Sequence, residues 1–212
     1  IYHPLLTNPV KNDINLKQGI ILTGSNASGK STMLKTVAVA TILAEAIHTV
    51  PANSYNAPAY RVYTSLALND DIFAGESYYM TEIKSLKRII DNSREDATPV
   101  LACVDEVLRG TNTIERISAS SVILREFAKV NGRILAATHD RELAVMLSDV
   151  YDNYHFEETI NGNDISFAYK MEEGIATTRN AIKLLEIVGY DKDIIEKANA
   201  VSKRYEETGV FE

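Results

Sequence analysis

The chain has 212 residues, 45% hydrophobic and 24% charged, enough for one domain with a full core or one domain carrying a small appendage. Its 22 Lys and Arg against 29 Asp and Glu leave a net charge of −7, which argues against a basic surface for wrapping nucleic acid and predicts at best weak, salt-sensitive DNA binding by this segment. The single cysteine, Cys103, excludes an internal disulfide and a multi-cysteine zinc site and fits a reducing, cytoplasmic setting. No apolar run approaches the roughly 20 residues that span a bilayer, so no membrane contact is expected from this segment. The sequence opens on Ile1 with no charged-then-apolar leader, and the expectation is a piece of a longer protein.

In chain order, Gly19 to Thr23 reads as a short buried strand and Lys30 to His48 as a helix rich in Ala, Leu, Val and Ile. Pro51 and Pro58 bracket a loop. Ser77 to Asn92 is helical, with Met80, Ile83, Leu86 and Ile90 on one face. Val100 to Val104 is a strand without polar interruption, Ile114 to Val130 a helix, Arg133 to Thr138 another apolar strand, and Glu142 to Leu147 a short helix. Continuous apolar strands separated by helices predict an α/β fold with a mostly parallel sheet covered on both faces. The pattern then changes. Tyr154, Phe156 and Glu158 alternate with their neighbours, as do Ile165, Phe167 and Tyr169 after Asn161-Gly162-Asn163, which predicts a β-hairpin. Two helices follow, one carrying Ala181, Leu184, Leu185 and Val188, the other Ile194, Ala198, Val201 and Tyr205. Gly189 separates them, and Asp193 with Glu196 resembles a capping box. Residues 1–175 form the expected main domain and 176–212 a helical appendage to it.

The run Gly24-Ser25-Asn26-Ala27-Ser28-Gly29-Lys30-Ser31 matches G-x-x-x-x-G-K-[ST], with a strand before it and a helix after it, as a phosphate-binding loop requires. Glycines let the backbone curl so that successive N–H groups face phosphate oxygens, and the helix N-terminus adds a favourable dipole. Lys30 is placed to reach the β- and γ-phosphates and the Ser31 hydroxyl to ligate Mg²⁺. The expectation is a nucleoside triphosphate with its magnesium.

The strand Val100 to Val104 ends in Asp105-Glu106. In P-loop enzymes such an aspartate holds Mg²⁺, and a following glutamate suits a general base for the attacking water. The plain alternative is two acids solvating a strand end. The next strand ends in Thr138-His139-Asp140, so His139 falls at the carboxyl edge of the sheet, where a γ-phosphate sensor would sit. His3, His48 and His155 lack metal-like spacing and read as structural or surface residues. Cys103 reads as core.

His3-Pro4 with Asn12-Asp13, Thr23 to Thr32, Val50-Pro51-Ala52, Phe73-Ala74-Gly75-Glu76-Ser77, Asp105 to Thr113, Ala137-Thr138-His139, and Phe167-Ala168-Tyr169-Lys170 to Gly174 ahead of two helices follow one another along the chain. That order, over nearly the whole length, resembles the ATPase domain of the MutS family of DNA mismatch-repair proteins. The resemblance implies an ABC-type ATPase that forms a head-to-tail homodimer with composite nucleotide sites. By the same resemblance, Thr32 completes the Walker A loop and Asn26 orients the γ-phosphate or water. Ser77 acts on the partner's nucleotide, the run from Arg109 to Thr113 lies along the partner, and adenine falls near Val10 or Lys11. The two helices buttress dimerisation, and DNA is held by domains N-terminal to this segment. Read alone, Ser77 is a helix N-cap and Arg109 an exposed arginine. Ser25, Tyr78, Leu108 and Asp140 depart from the family's usual proline, threonine, glycine and aromatic, the mark of a divergent branch.

Other readings remain open on the residues. A transporter-type ABC domain should carry L-S-G-G-Q where this chain has Phe-Ala-Gly-Glu-Ser. A small P-loop kinase should carry an Arg-rich lid before the last strand. A nucleotide-gated clamp with little turnover and no repair role would share the same loop and differ only in rate.

Overall fold

Strands with no polar interruption must be covered on both faces, and Ile20, Ile21, Leu22 and Val100 to Val104 are each 1% exposed or less. The computed structural model describes residues 1–66, 78–95, 97–161, 164–177 and 180–209. Among them run β1 (Ile20–Thr23), α1 (Lys30–Ile47), β2 (Arg61–Ser65), α2 (Tyr78–Glu95), β3 (Val100–Asp105), α3 (Thr113–Phe127), β4 (Gly132–Ala137), α4 (Arg141–Met146), β5 (Asp152–Asn161), β6 (Asp164–Glu173), α5 (Ala181–Val188) and α6 (Lys192–Thr208). The strands form one sheet in the order β2-β3-β4-β1-β5-β6, parallel up to β5 with β6 antiparallel against it. This is the expected α/β architecture.

Alternate residues of each strand supply two cores. Ile20, Leu22, Leu101, Cys103, Leu135 and Ala137 pack with Met33, Leu34 and Val37 of α1. Ile21, Val100, Ala102, Val104, Ile134 and Ala136 pack on the other side with Leu86 and Ile89 of α2 and Leu124 and Phe127 of α3. Cys103 is fully buried, and burial pushes its thiol up to about 12, which makes it inert core.

The register sets the site. Leu22 pairs with Ala137, and Ala137 with Asp105, so β1, β4 and β3 end level. The chain therefore leaves all three strands at one edge of the sheet, where ligands of open α/β sheets gather. Since β4 lies between β1 and β3, its exit at Thr138-His139 falls between the phosphate-loop sequence and the acidic pair.

Several expectations need correction. β2 has no counterpart among the expected elements; it is a five-residue edge strand, half exposed, whose short Arg-Val-Tyr-Thr-Ser sequence has no apolar run. The capping box is displaced: α6 begins at Lys192 after the N-cap position Asp191, and Asp193 instead pairs with Lys197 at 2.6 Å. Ser77 and the Phe73 to Glu76 segment lie outside the described residues. The hairpin stands as expected, with a register shift between Phe156 and Glu158. No helix among the described residues is long and apolar enough to cross a membrane.

Candidate functional site

β1 delivers the chain into Gly24, whose φ of +142° is a region essentially reserved for glycine. A Cβ there would lie 2.8 Å from the Phe156 carbonyl oxygen and 2.9 Å from Ser28 Oγ. The loop turns again at Ala27 (φ +64°) and Gly29, from which α1 starts with no side-chain cap on its first N–H groups. Lys30, 5% exposed, folds back over the loop, its Nζ donating to the Gly24 carbonyl at 2.7 Å and the Ser25 carbonyl at 2.6 Å. Burial lowers its pKa, against the raising influence of Glu106, Asp105 and Glu158.

A cleft of about 470 Å³ opens over this loop. Ser25, Asn26, Ala27, Gly29, Lys30, Ser31 and Thr32 line it together with Asp105 and Glu106. Gly24 and Ser28 are not on its wall. Gly24 provides the turn, and Ser28, 1% exposed, has a hydroxyl with no hydrogen-bond partner among the described residues.

Glu106 sits at φ +58°, its N–H donating to the Ala137 carbonyl at 3.0 Å. One carboxylate oxygen is in direct contact with His139 Nε2, and the other forms an ion pair with Arg109 Nε at 2.9 Å. The His139 bond holds the Glu106 carboxyl below its ordinary range despite partial burial, aided by the charges of His139, Arg109 and Lys30. His139 Nδ1 lies 3.2 Å from the Gly24 carbonyl, so one imidazole spans from the phosphate-loop turn to the acid. Behind Glu106 lies a second cavity of about 190 Å³, which shares Asn26 and Glu106 with the first and is walled by His139 and Arg116.

Sequence reasoning missed three parts of this arrangement. Arg116 of α3 forms a two-pronged pair with Asp140, at 2.8 and 2.6 Å, and so fixes the residue beside His139. The departure from an aromatic at Asp140 was the available signal, but its partner lies 24 positions earlier. The outer wall of the cleft is built by the N-terminal segment with Phe156 and Tyr169. Buried Asn12 secures it, donating to the Tyr169 carbonyl at 3.0 Å and accepting from Met171 N at 2.7 Å. His3 and Val10 line the cleft; Lys11 does not, its Nζ instead facing Asn53 Oδ1 at 3.4 Å. His48 is exposed and lines neither cavity, while His155 is a buried residue of β5 with Nδ1 3.3 Å from the Gly174 carbonyl. The third missed feature is Glu82 of α2, whose carboxylate reaches the backbone of the loop after β3.

A parallel sheet whose first strand feeds a glycine turn, a buried lysine and a helix defines a P-loop NTPase-type domain. The family model for MutS domain V matches residues 20–206. The chain belongs to that family. It is 30% identical to the DNA mismatch repair protein MutS of Thermotoga sp. (strain RQ2), over 95% of this chain and 26% of that protein. It is 32% identical to the DNA mismatch repair protein MutS of Prochlorococcus marinus, over 92% of this chain and 22% of that protein, and 32% identical to that of Pseudothermotoga lettingae, over 91% and 24%. The chain thus spans about a quarter of the length of these curated relatives.

Proposed function

We propose that this domain binds ATP with Mg²⁺ and hydrolyses it to ADP and phosphate as the ATPase part of a MutS-like DNA repair protein. The observation that carries the reading is the convergence of Lys30, Ser31, Asp105 and Glu106 on one cleft, with His139 reaching from the Gly24 carbonyl to Glu106. The residues fit the ligands. The Lys30 ammonium rests on two loop carbonyls that phosphate oxygens would replace, and Ser31 with Asp105 offers two hard oxygen donors, the small set Mg²⁺ takes when substrate phosphates complete its shell. When bound there, the ion would neutralise charge developing between the β- and γ-phosphate oxygens.

The chain's own residues do the rest. Residues Gly24 to Thr32 cradle the phosphates; Lys30 balances their charge, and Asn26, on the wall of both cavities, orients the γ-phosphate or the water. Glu106 accepts the water's proton, and His139 holds Glu106 and senses the γ-phosphate. The purine falls against the outer wall, where Val10 rather than Lys11 faces the cleft. Residues 176–212 are an appendage to the domain of residues 1–175. The exposed apolar side chains of α5 and α6 suit a homodimer, in which Ser77 completes the partner's site. DNA is held by parts of the protein outside this chain, and the setting is the cytoplasm, where ATP and DNA meet.

Steady-state turnover of the wild type and of Glu106→Gln tests this. Expected are Mg²⁺-dependent hydrolysis in the wild type and a loss of about 10²- to 10⁴-fold in the variant, with ATP binding kept. Equal turnover would remove Glu106 from catalysis.

A nucleotide-gated clamp with little turnover is the second reading, and one observation favours it. Both Glu106 carboxylate oxygens are engaged, by His139 and Arg109, leaving the acid poorly placed to take a proton from water. Hydrolysis requires Arg109 or His139 to let go; absence of turnover in the wild type beside tight ATP binding would decide for the clamp.

A further inference from the structure

The loop that begins at Glu106 holds two non-glycine residues in the left-handed region, Glu106 at φ +58° and Leu108 at φ +57°. Each such residue costs roughly 1–2 kcal/mol, so the surroundings must impose the shape. They do so from three sides. β4 receives the Glu106 N–H at the Ala137 carbonyl, at 3.0 Å. From α3, the Ser120 hydroxyl donates to the Val107 carbonyl at 3.3 Å. The closest grip comes from the first turns of α2. There the carboxylate of Glu82 accepts the Leu108 N–H on one oxygen and the Arg109 N–H on the other, the latter at 3.0 Å. One turn earlier Tyr79 lies so close that a Cβ on Gly110 would meet its Cβ at 2.9 Å, a position only glycine can occupy without a shift.

Glu82 is 1% exposed, and burial pushes its carboxyl up to about 7. Placing an ionisable group in such a position is expensive, so the contacts it makes must offset its burial. What a carboxylate alone provides is two acceptors in one plane, matched to two successive backbone N–H groups. We propose that Glu82 is a positioning residue for ATP hydrolysis: by clamping the N–H groups of Leu108 and Arg109 it fixes the left-handed loop that aims Glu106 into the nucleotide cleft. The inference rests on the reading of Glu106 as the acid that handles the water. Glu82 touches neither cavity and acts through the backbone.

The test is Glu82→Gln beside Glu106→Gln in the intact protein, measuring kcat, KM and the affinity for a non-hydrolysable ATP analogue. The amide keeps size and shape but turns an NH₂ donor towards a backbone donor. Expected is a kcat lower by about 10- to 100-fold, with KM and analogue affinity within about threefold of wild type, as a misaimed group costs rate before binding. Wild-type kcat in Glu82→Gln, with Glu106→Gln inactive, overturns the inference alone. Wild-type kcat in Glu106→Gln overturns the functional reading and this inference with it. Analogue affinity falling by the same factor as kcat shows a merely structural role and also overturns it. Should Glu82→Gln not fold, Glu82→Asp carries the same test: it keeps the charge and draws the acceptors back by one methylene, and a kcat loss without a binding loss is again the expected result.

Discussion

The phosphate-loop half and the C-terminal helix pair are stabilised in opposite ways. α1 sends Met33, Leu34, Val37 and Ala38 into the core beneath the sheet, each 5% exposed or less, so its position is fixed by the domain itself. No described residue of α5 or α6 is buried. Their apolar side chains Leu184, Ile194, Val201 and Tyr205 are 40–44% exposed and Val188 is 75% exposed. Asn180, just before α5, donates to Glu158 of the hairpin at 2.7 Å and holds the pair's near end. One half builds a site from its own core, while the other leaves an amphipathic surface exposed.

Substitutions can break this comparison. The largest effect belongs to the core: Leu34→Ala, at a fully buried position, should cost about 2–5 kcal/mol in chemical denaturation. A loss below about 1 kcal/mol would mean that α1 is not seated as described. Next comes the loop. Gly24→Ala drives a Cβ against the Phe156 carbonyl and should cost about 1–3 kcal/mol of strain, read as nucleotide binding weakened by about tenfold or more. Unchanged affinity would show a loop free to adjust.

The third effect depends on pH. The folded protein holds the Glu82 proton more tightly, with a pKa of about 7 against an ordinary 4.5, so ionising this carboxyl costs stability as pH rises through that window. The Glu106 charge adds to the shift and Arg109 opposes it. Glu82→Gln removes the cost, so its melting temperature relative to wild type should climb between about pH 4.5 and 7 and level off outside those limits. A difference flat across pH would contradict the burial assigned to Glu82. The smallest effect is expected at Val188→Asp, within about 0.5 kcal/mol on the folding of a single chain, with self-association by analytical ultracentrifugation weakened clearly. Unfolding by this substitution would show that the helix pair is part of the core after all.

These two halves also differ in how much could be read from residues in order. β1, β3 and β4 stood out because burial on both faces leaves no polar interruption, and the phosphate-loop motif because its chemistry is local to eight residues. β2 was missed because a half-exposed edge strand has no apolar run to announce it. Lys30, Ser31, Asp105, Glu106 and His139 meet at one sheet edge because level strand ends carry them there. Of the outer cleft wall only the stretch at Val10 was anticipated, by resemblance; Phe156 and Tyr169 were not, since that wall depends on Asn12 bonding to Tyr169 and Met171, more than 150 positions away. Nor was Glu82, which in sequence is one acid in an amphipathic helix. Only the packing of α2 on the loop after β3 turns it inward.

On the proposed function, the turn around Lys30 grips a nucleoside triphosphate. Calorimetric titration with Mg²⁺ and a non-hydrolysable ATP analogue tests this most directly. The wild type should give saturable heat at one site per chain, and Lys30→Ala, lacking the buried ammonium, should bind weaker by at least about tenfold. A flat titration for the wild type, or equal affinity in the two proteins, would contradict it.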